Sequence, residues 1–220
     1  MDILFIHGFN STPQDLRETI QLLQQHGHRV IAPSMKSFAL DDGQDKLAYH
    51  STQEWLDEVK QAFISFCDET TGDVGLAGHS LGGAICTHLL TSETLVSIKN
   101  RVTRCAFLAT PAGVDDHFLN FWRTTSSEQI FWPFSLQVQM FSFLRQCDRL
   151  FNELKTPSIV LQGEQDLHIP PSSGSALAEQ LQDCRGCWTH PDADHFFPNS
   201  RSAGARYLQA KLVKFFTNRE

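Results

Sequence analysis

The apolar positions alternate between two periods along almost the whole chain. Ile3-Leu4-Phe5-Ile6 is a short unbroken apolar run of strand length, the pattern of a strand buried on both faces, and His7-Gly8 ends it. Thr12-Pro13-Gln14-Asp15 opens a helix, with Thr12 as N-cap, Pro13 at its first position and an acid in its first turn. Leu16, Ile20 and Leu23 form the apolar stripe of that helix, and Gly27 stops it. Arg29-Val30-Ile31-Ala32-Pro33 predicts the next strand. Residues 34–50 are polar and irregular, with a turn at Asp41-Asp42-Gly43. Ser51-Thr52-Gln53-Glu54 is a capping box, and Trp55, Leu56, Val59, Phe63 and Phe66 behind it share one helix face.

The second half of the chain repeats the pattern. Asp73-Val74-Gly75-Leu76-Ala77 predicts a strand, and Gly83 to Leu90 a helix. Val102 to Leu108 and Ser158 to Gly163 predict two further strands, with a short helix from about Ser172 to Leu181. Cys187-Trp188-Thr189-His190 reads as a last short strand. A final helix, about 201–216, carries Tyr207, Leu208, Leu212 and Phe215 as its apolar face. Strands alternating with helices predict an α/β fold: a mostly parallel sheet of about six strands, covered by helices on both faces. A chain of 220 residues is most simply one domain, spanning 1–220.

Composition narrows the function classes without choosing one. Net charge is −7, from 18 Lys and Arg against 25 Asp and Glu, with no basic run, so nucleic acid is not an expected partner. The start, Met1-Asp2-Ile3-Leu4-Phe5-Ile6, does not read as a signal peptide, and no apolar run approaches a membrane span. Cys67, Cys86 and Cys105 fall in apolar segments, and the expectation is a cytoplasmic protein with reduced thiols. Cys184-Arg185-Gly186-Cys187 is a lone C-x-x-C placed just before a strand, with no second pair to complete a zinc site. The histidines and acids do not form a spaced ligand set, so no metal and no cofactor are expected. Oligomeric state is not readable from the chain.

One stretch carries chemistry directly. Gly78-His79-Ser80-Leu81-Gly82 stands between a predicted strand and a predicted helix, the order of a nucleophile elbow. A serine hydroxyl attacks only if it stands clear of its own backbone. A sharp strand-to-helix turn achieves that at the cost of strained φ/ψ, and Gly78 and Gly82 remove side chains that would collide there. The helix start also aims free N–H groups at an oxyanion formed beside Ser80.

In open parallel sheets, ligands bind at the carboxyl ends of strands. The polar residues just after predicted strands are His7, Asn10, Ser80, Asp166 and His195. A serine nucleophile needs a base, and the base needs an acid to hold one tautomer. The order Ser80, Asp166, His195 is that of α/β-hydrolases. Four segments carry a resemblance to that superfamily. They are His-Gly-Phe-Asn at 7–10, Gly-His-Ser-Leu-Gly-Gly at 78–83, Gly-Glu-Gln-Asp-Leu-His-Ile-Pro at 163–170 and Asp-Ala-Asp-His-Phe-Phe at 192–197. The chain resembles a small, carboxylesterase-like member, and departs from the family in starting directly on the strand before the His-Gly loop.

The resemblance implies Ser80 as nucleophile, His195 as general base and then acid, and Asp166 as the acid orienting it. It also implies an oxyanion hole from the backbone N–H groups of Phe9 and Leu81. Each role has a plainer rival. Asp166 could be a turn carboxylate, with Asp115 or Asp116 as the fallback acid, and His195 a surface histidine. His7 and His79 read as residues that order loops, His190 as packing, His168 as structural or pocket-lining, and Asp192 and Asp194 as loop formers.

Between Val114 and Lys155 the chain crowds Phe118, Phe121, Trp122, Phe131, Trp132, Phe134, Phe141, Phe143 and Phe151 into helices broken at Pro133. This is where the family inserts a cap, so a helical cap over about 114–155 is expected. With Phe9, Asn10 and His79, the residues Phe118, Phe121, Trp122 and Trp132 are expected to line the substrate pocket. The bland alternative is a helical hairpin burying its rings on the sheet. The leading function is hydrolysis of a small, largely apolar carboxylic ester or thioester through an acyl-enzyme on Ser80. An aminopeptidase would want cap acids, for which Asp115, Asp116 and Glu128 stand available. A perhydrolase, a carbon–carbon bond hydrolase and a non-catalytic small-molecule receptor share the fold.

Overall fold

The computed structural model describes residues 1–36, 51–125 and 134–218. Its strands are β1 (Asp2–Ile6), β2 (Arg29–Ile31), β3 (Val74–His79), β4 (Val102–Leu108), β5 (Ser158–Gly163) and β6 (Cys184–His190). They form one sheet in the order β2-β1-β3-β4-β5-β6, and every neighbouring pair is parallel. The helices are α1 (Arg17–Gln25), α2 (Thr52–Asp68), α3 (Leu81–Thr91), α4 (Val96–Lys99), α5 (Asp116–Thr125), α6 (Phe134–Leu150), α7 (Ser172–Gln180) and α8 (Ala203–Thr217).

The unbroken apolar runs are explained by what covers the sheet. Alternate residues serve opposite faces. Leu4, Ile6, Leu76, Phe107 and Val160 pack with Trp55, Val59 and Phe63 of α2, Ile85 and Leu89 of α3, Phe143 of α6 and Leu177 of α7. Ile3, Phe5, Ala77, Leu108, Ile159 and Leu161 pack with Leu23 of α1 and with Leu208, Leu212 and Phe216 of α8. A strand fed by both faces has no solvent side, so it carries no polar alternation. The result is a parallel sheet between two helical layers, the α/β arrangement the sequence predicts.

The local punctuation acts as the sequence predicts, with four adjustments. Thr12 and Asp15 form a capping box, but the first turn, Pro13–Leu16, is a 3-10 turn that precedes α1. Gly27, at φ +83°, stops α1, with the His28 N–H on the Leu23 carbonyl at 3.2 Å and the Gly27 N–H on that of Gln24 at 3.0 Å. Ser51 caps α2, and its box with Glu54 is complete. β2 ends at Ile31, short of Pro33, which has no N–H to continue a ladder. On α8, Tyr207 is exposed and Phe215 half-buried. The buried stripe is instead Leu208, Leu212, Val213 and Phe216.

The fourth adjustment concerns the cysteine pair. β6 starts at Cys184, because it pairs with β5 from Ser158 onward, so Cys184 and Cys187 both lie inside the strand and not before it. Three residues of extended chain advance about 10 Å. That exceeds the roughly 7 Å within which a disulfide can close. Both are free thiols. The turn at 41–43, Glu128, the rings of Phe131 and Trp132 and the break at Pro133 lie outside the described residues.

Candidate active site

The sheet order reverses around β1, whose neighbours are β2 on one side and β3 on the other. Such a switch point leaves a crevice at the carboxyl ends of the strands. The loops after β1, β3, β4, β5 and β6 meet there and line a cavity of about 210 Å³. A larger cleft, about 980 Å³, opens at the opposite end among Arg104, Arg185, Lys211 and Lys214, and contains none of the residues predicted for catalysis or substrate binding.

Ser80 ends β3 and begins α3 at φ +54° and ψ −124°, the left-handed side of φ space that side chains rarely adopt. Its N–H donates to the Leu108 carbonyl of β4 at 2.8 Å, and its carbonyl accepts from the Gly83 N–H at 3.0 Å. The glycines are demanded by close approach. A Cβ on Gly78 would stand 2.5 Å from the Gly82 backbone, and one on Gly82 would strike the Ile6 and His7 carbonyls. A Cβ on Gly83 would strike Thr110. Among the described residues, Asn10, Ser80 and Ala109 are the non-glycine residues with positive φ, and each follows a strand that borders this cavity. Leu81 is the first residue of α3, so its N–H has no partner within the helix.

His195 is buried, and its Nδ1–H donates to Asp166 Oδ2 at 2.8 Å. That bond leaves Nε2 with a lone pair. Asp166 is almost fully buried and held from every side. Gln162 Nε2 donates to Oδ2 at 3.0 Å, and the N–H groups of His168 and Ile169 each donate to Oδ1 at 2.8 Å. Burial alone would push the Asp166 carboxyl upward. The neighbouring His195 and the N–H donors of Ile169 and His168 outweigh that and hold it below its ordinary range.

Two further histidines support the loops. His79 is buried, and its Nε2–H donates to the His195 carbonyl at 2.9 Å. Burial, with a smaller contribution from His195, lowers its pKa to about 3, so it stays neutral. His7 Nδ1–H donates to the Gly8 carbonyl at 2.9 Å, and its Nε2 accepts from the Met35 N–H at 3.0 Å. It thereby ties the start of the 8–10 loop, and burial lowers its pKa as well. The His168 ring lies against His195, with centroids 4.7 Å apart, and the Phe196 ring meets both.

Of the predicted pocket residues, Phe9, Asn10, His79, Phe118 and Trp122 line the cavity, as do Ser80, Leu81 and His195. Asp166 does not; it reaches the cavity only through His195. Phe121 is half-buried and not among the lining residues, because it sits about 100° round α5 from Trp122. Trp132 lies outside the described residues. The apolar wall is completed by Met140, Phe141 and Leu144 of α6, with the Trp122 and Phe141 rings edge-on at 4.9 Å. Their spacing on α6 was the available signal.

Asp15, Ser11, Ile169 and Phe196 also line the cavity and carried no such signal. The rivals have other employment. Asp115 Oδ1 accepts from the Phe118 N–H at 2.9 Å and so caps α5. Asp194 accepts from the Phe196 N–H at 2.9 Å, and His190 Nδ1 from the Asp192 N–H at 3.1 Å. Among the described residues no group of three His, Cys, Asp or Glu is arranged to hold a metal ion. No described helix is long and apolar enough to cross a membrane.

An elbow serine, an oriented imidazole and a helix start on one crevice define a class of protein, and comparison with known proteins agrees with it. Residues 3–210 match the alpha/beta hydrolase family, and the chain belongs to it. It is 28% identical over 91 residues to the AB hydrolase superfamily protein YfhM of Bacillus subtilis (strain 168). That match takes in 41% of this chain and 31% of YfhM, about a third of the relative's length. The fold superposes on a structure of the metagenome-derived lipolytic enzymes LipS and LipT with a TM-score of 0.75. That superposition covers 99% of this chain and 94% of the other at 13% identity. The monoacylglycerol lipase of Paleococcus ferrophilus gives 0.69 at 15% identity, covering 98% and 93%. A meta-cleavage product hydrolase of Pseudomonas fluorescens IP01 gives 0.66 at 18%, covering 98% and 90%. At these identities the likeness shows the shared fold.

Proposed function

We propose that this protein is a serine hydrolase that cleaves a small, largely apolar carboxylic ester or thioester through an acyl-enzyme on Ser80. The observation that carries the reading is the pairing of two features on one crevice. Ser80 stands at a strained φ of +54° at the head of α3, and His195, held by Asp166 at 2.8 Å, lines the same cavity. Strain of this kind persists only where surrounding structure imposes it. The lipolytic and monoacylglycerol lipase neighbours give the same direction.

In this reading His195 Nε2 takes the proton of Ser80 as Oγ bonds to the acyl carbon. The carbonyl oxygen becomes an oxyanion on the N–H groups of Leu81 and Phe9. The tetrahedral intermediate collapses, the carbon–oxygen or carbon–sulfur bond to the leaving group breaks, and His195 returns the proton to that group. Water then repeats the sequence in reverse and frees the acid. Asp166 holds the Nδ1–H tautomer throughout. Residues 114–155 act as a cap whose aromatic wall takes the apolar part of the substrate within one domain. A cavity of about 210 Å³ suits a small group. Of the acids an aminopeptidase would want, Asp115 and Asp116 are not among the cavity's lining residues, and Glu128 lies outside the described residues. The cytoplasm is the proposed compartment, on the strength of the buried free thiols.

The test is intact-mass labelling with a fluorophosphonate beside hydrolysis of p-nitrophenyl esters from two to twelve carbons. A single adduct on Ser80 with turnover of short esters is expected. No adduct would end the serine-hydrolase reading, and an adduct without turnover of any ester would favour a receptor.

A further inference from the structure

The cavity has two unlike walls. Phe118, Trp122, Met140, Phe141 and Leu144 make one side apolar, while Asn10, Ser11 and Asp15 make the loop after β1 polar. Among the described residues, Asp15 is the one acidic residue that lines the cavity, and no Lys or Arg lines it.

The sequence accounts for only half of the Asp15 carboxylate. Its Oδ2 accepts from the Thr12 N–H at 2.8 Å, from Ser11 Oγ at 2.9 Å and from Thr12 Oγ1 at 3.3 Å. Three donors fix the group in place and saturate that oxygen. They leave Oδ1 as an acceptor with its orientation already set. The side chain is half-buried, so a cation brought to it meets a lower dielectric than at an open surface. The capping box explains why an acid stands at position 15. It does not call for that acid to face the cavity.

We propose that Asp15 is a specificity-determining residue, and that the substrate carries a cationic ammonium group on its polar arm opposite the apolar one. This inference rests on the hydrolase reading for what happens to the ester, though not for the binding itself. An anionic substrate meets an unopposed carboxylate and is turned away, whereas an ammonium completes its charge-assisted bonding on Oδ1. A neutral alcohol gains a weaker hydrogen bond. Discrimination follows the order ammonium, alcohol, carboxylate.

The experiment measures binding, so that a failed serine mechanism and a failed specificity are told apart. Ser80→Ala protein is titrated by calorimetry at pH 7 with pentylammonium, 1-pentanol and pentanoate, three probes of one chain length. Pentylammonium is expected to bind about tenfold more tightly than 1-pentanol, and pentanoate more weakly than either. The same titrations are made with the Asp15→Asn and Asp15→Gln variants in that background. The glutamine variant retains an acceptor of capping-box type should asparagine not hold the turn. Thermal melting shows which variant is folded, and the ammonium-to-alcohol ratio is read from that one. A ratio that falls toward one supports the proposal. Equal binding of the three probes, tighter binding of pentanoate, or a ratio unchanged without the carboxylate overturns it, whatever fluorophosphonate labelling reports about Ser80.

Discussion

The side chain of His79 hydrogen-bonds the main-chain carbonyl of His195 at 2.9 Å, joining the elbow to the loop that bears the candidate base. The residue beside the serine thus sets the height of the residue that would deprotonate it. His79 is neutral in the folded chain because burial lowers its pKa to about 3. In the unfolded chain it takes a proton below its ordinary value of about 6.5. The stability it contributes is therefore complete above that value and is lost as pH falls toward 3. The loss over that window is on the order of 5 kcal/mol. Urea unfolding midpoints measured at pH 7 and pH 4.5 are expected to drop steeply in the unaltered protein. In His79→Asn they should drop less, from a lower starting point. An equal slope in both would remove His79 from the account.

Ser80→Ala is expected to abolish fluorophosphonate labelling and to lower ester turnover by at least about 10³-fold, with the melting temperature little changed. Ser80→Gly should lose the same activity and gain about 1 kcal/mol in stability, because glycine occupies φ +54° without strain. Melting curves of the three proteins, run together, separate the strain from the chemistry.

Asp166→Asn replaces a carboxylate that accepts from Gln162, His168, Ile169 and His195. An amide brings its own N–H₂ against at least one of those donors. A loss of about 1 to 3 kcal/mol in stability is expected. Turnover should fall about 10³-fold or more, since the His195 tautomer is no longer imposed. Turnover within tenfold of the unaltered protein would show that another group orients the imidazole.

Gly82→Ala sets a methyl group against the Ile6 and His7 carbonyls. Those are backbone atoms at the end of a central strand, so no rotamer change relieves the contact. A destabilisation of about 2 kcal/mol or more is expected in chemical unfolding, with labelling of Ser80 slowed.

Trp122→Ala removes a ring from the apolar wall, where it lies 4.9 Å from Phe141. The preferred p-nitrophenyl ester is expected to lengthen by two carbons or more, as the ring's volume becomes available to the acyl chain. An unchanged optimum would place that chain elsewhere.

What was legible in the chain was whatever a local pattern encodes. The run Ile3 to Ile6, the capping box at Ser51 and the elbow at Ser80 each depend on residues a few positions apart. The parallel sheet of about six strands follows because apolar strands alternate with helices, whereas the order of its strands was not predicted. Tyr207 was misplaced because helical period alone does not say which side of a stripe meets the sheet. Phe216 packs beneath β3, where a Cβ on Gly75 would touch its ring, and Tyr207 is turned outward. Asp15 was read as a helix-capping acid, which it is. That it also faces the cavity depends on β1 and β3 lying side by side, a fact of the sheet and not of the residues around it.

The all-parallel sheet fixes the order in which the site can come into being. No two neighbouring strands are joined by a hairpin; each ladder must wait for an intervening helical segment to be spanned. β1, β2 and β3 are complete once the chain reaches His79, whereas Asp166 and His195 follow β5 and β6. A chain emerging from the ribosome can therefore raise its serine on half a sheet with nothing beside it to take the proton. The second half supplies the candidate base and the acid that holds it only when β4 docks along β3 and β5 and β6 follow it. Under the proposed reading the protein is born inert, and its candidate site is complete only with the closing of that seam.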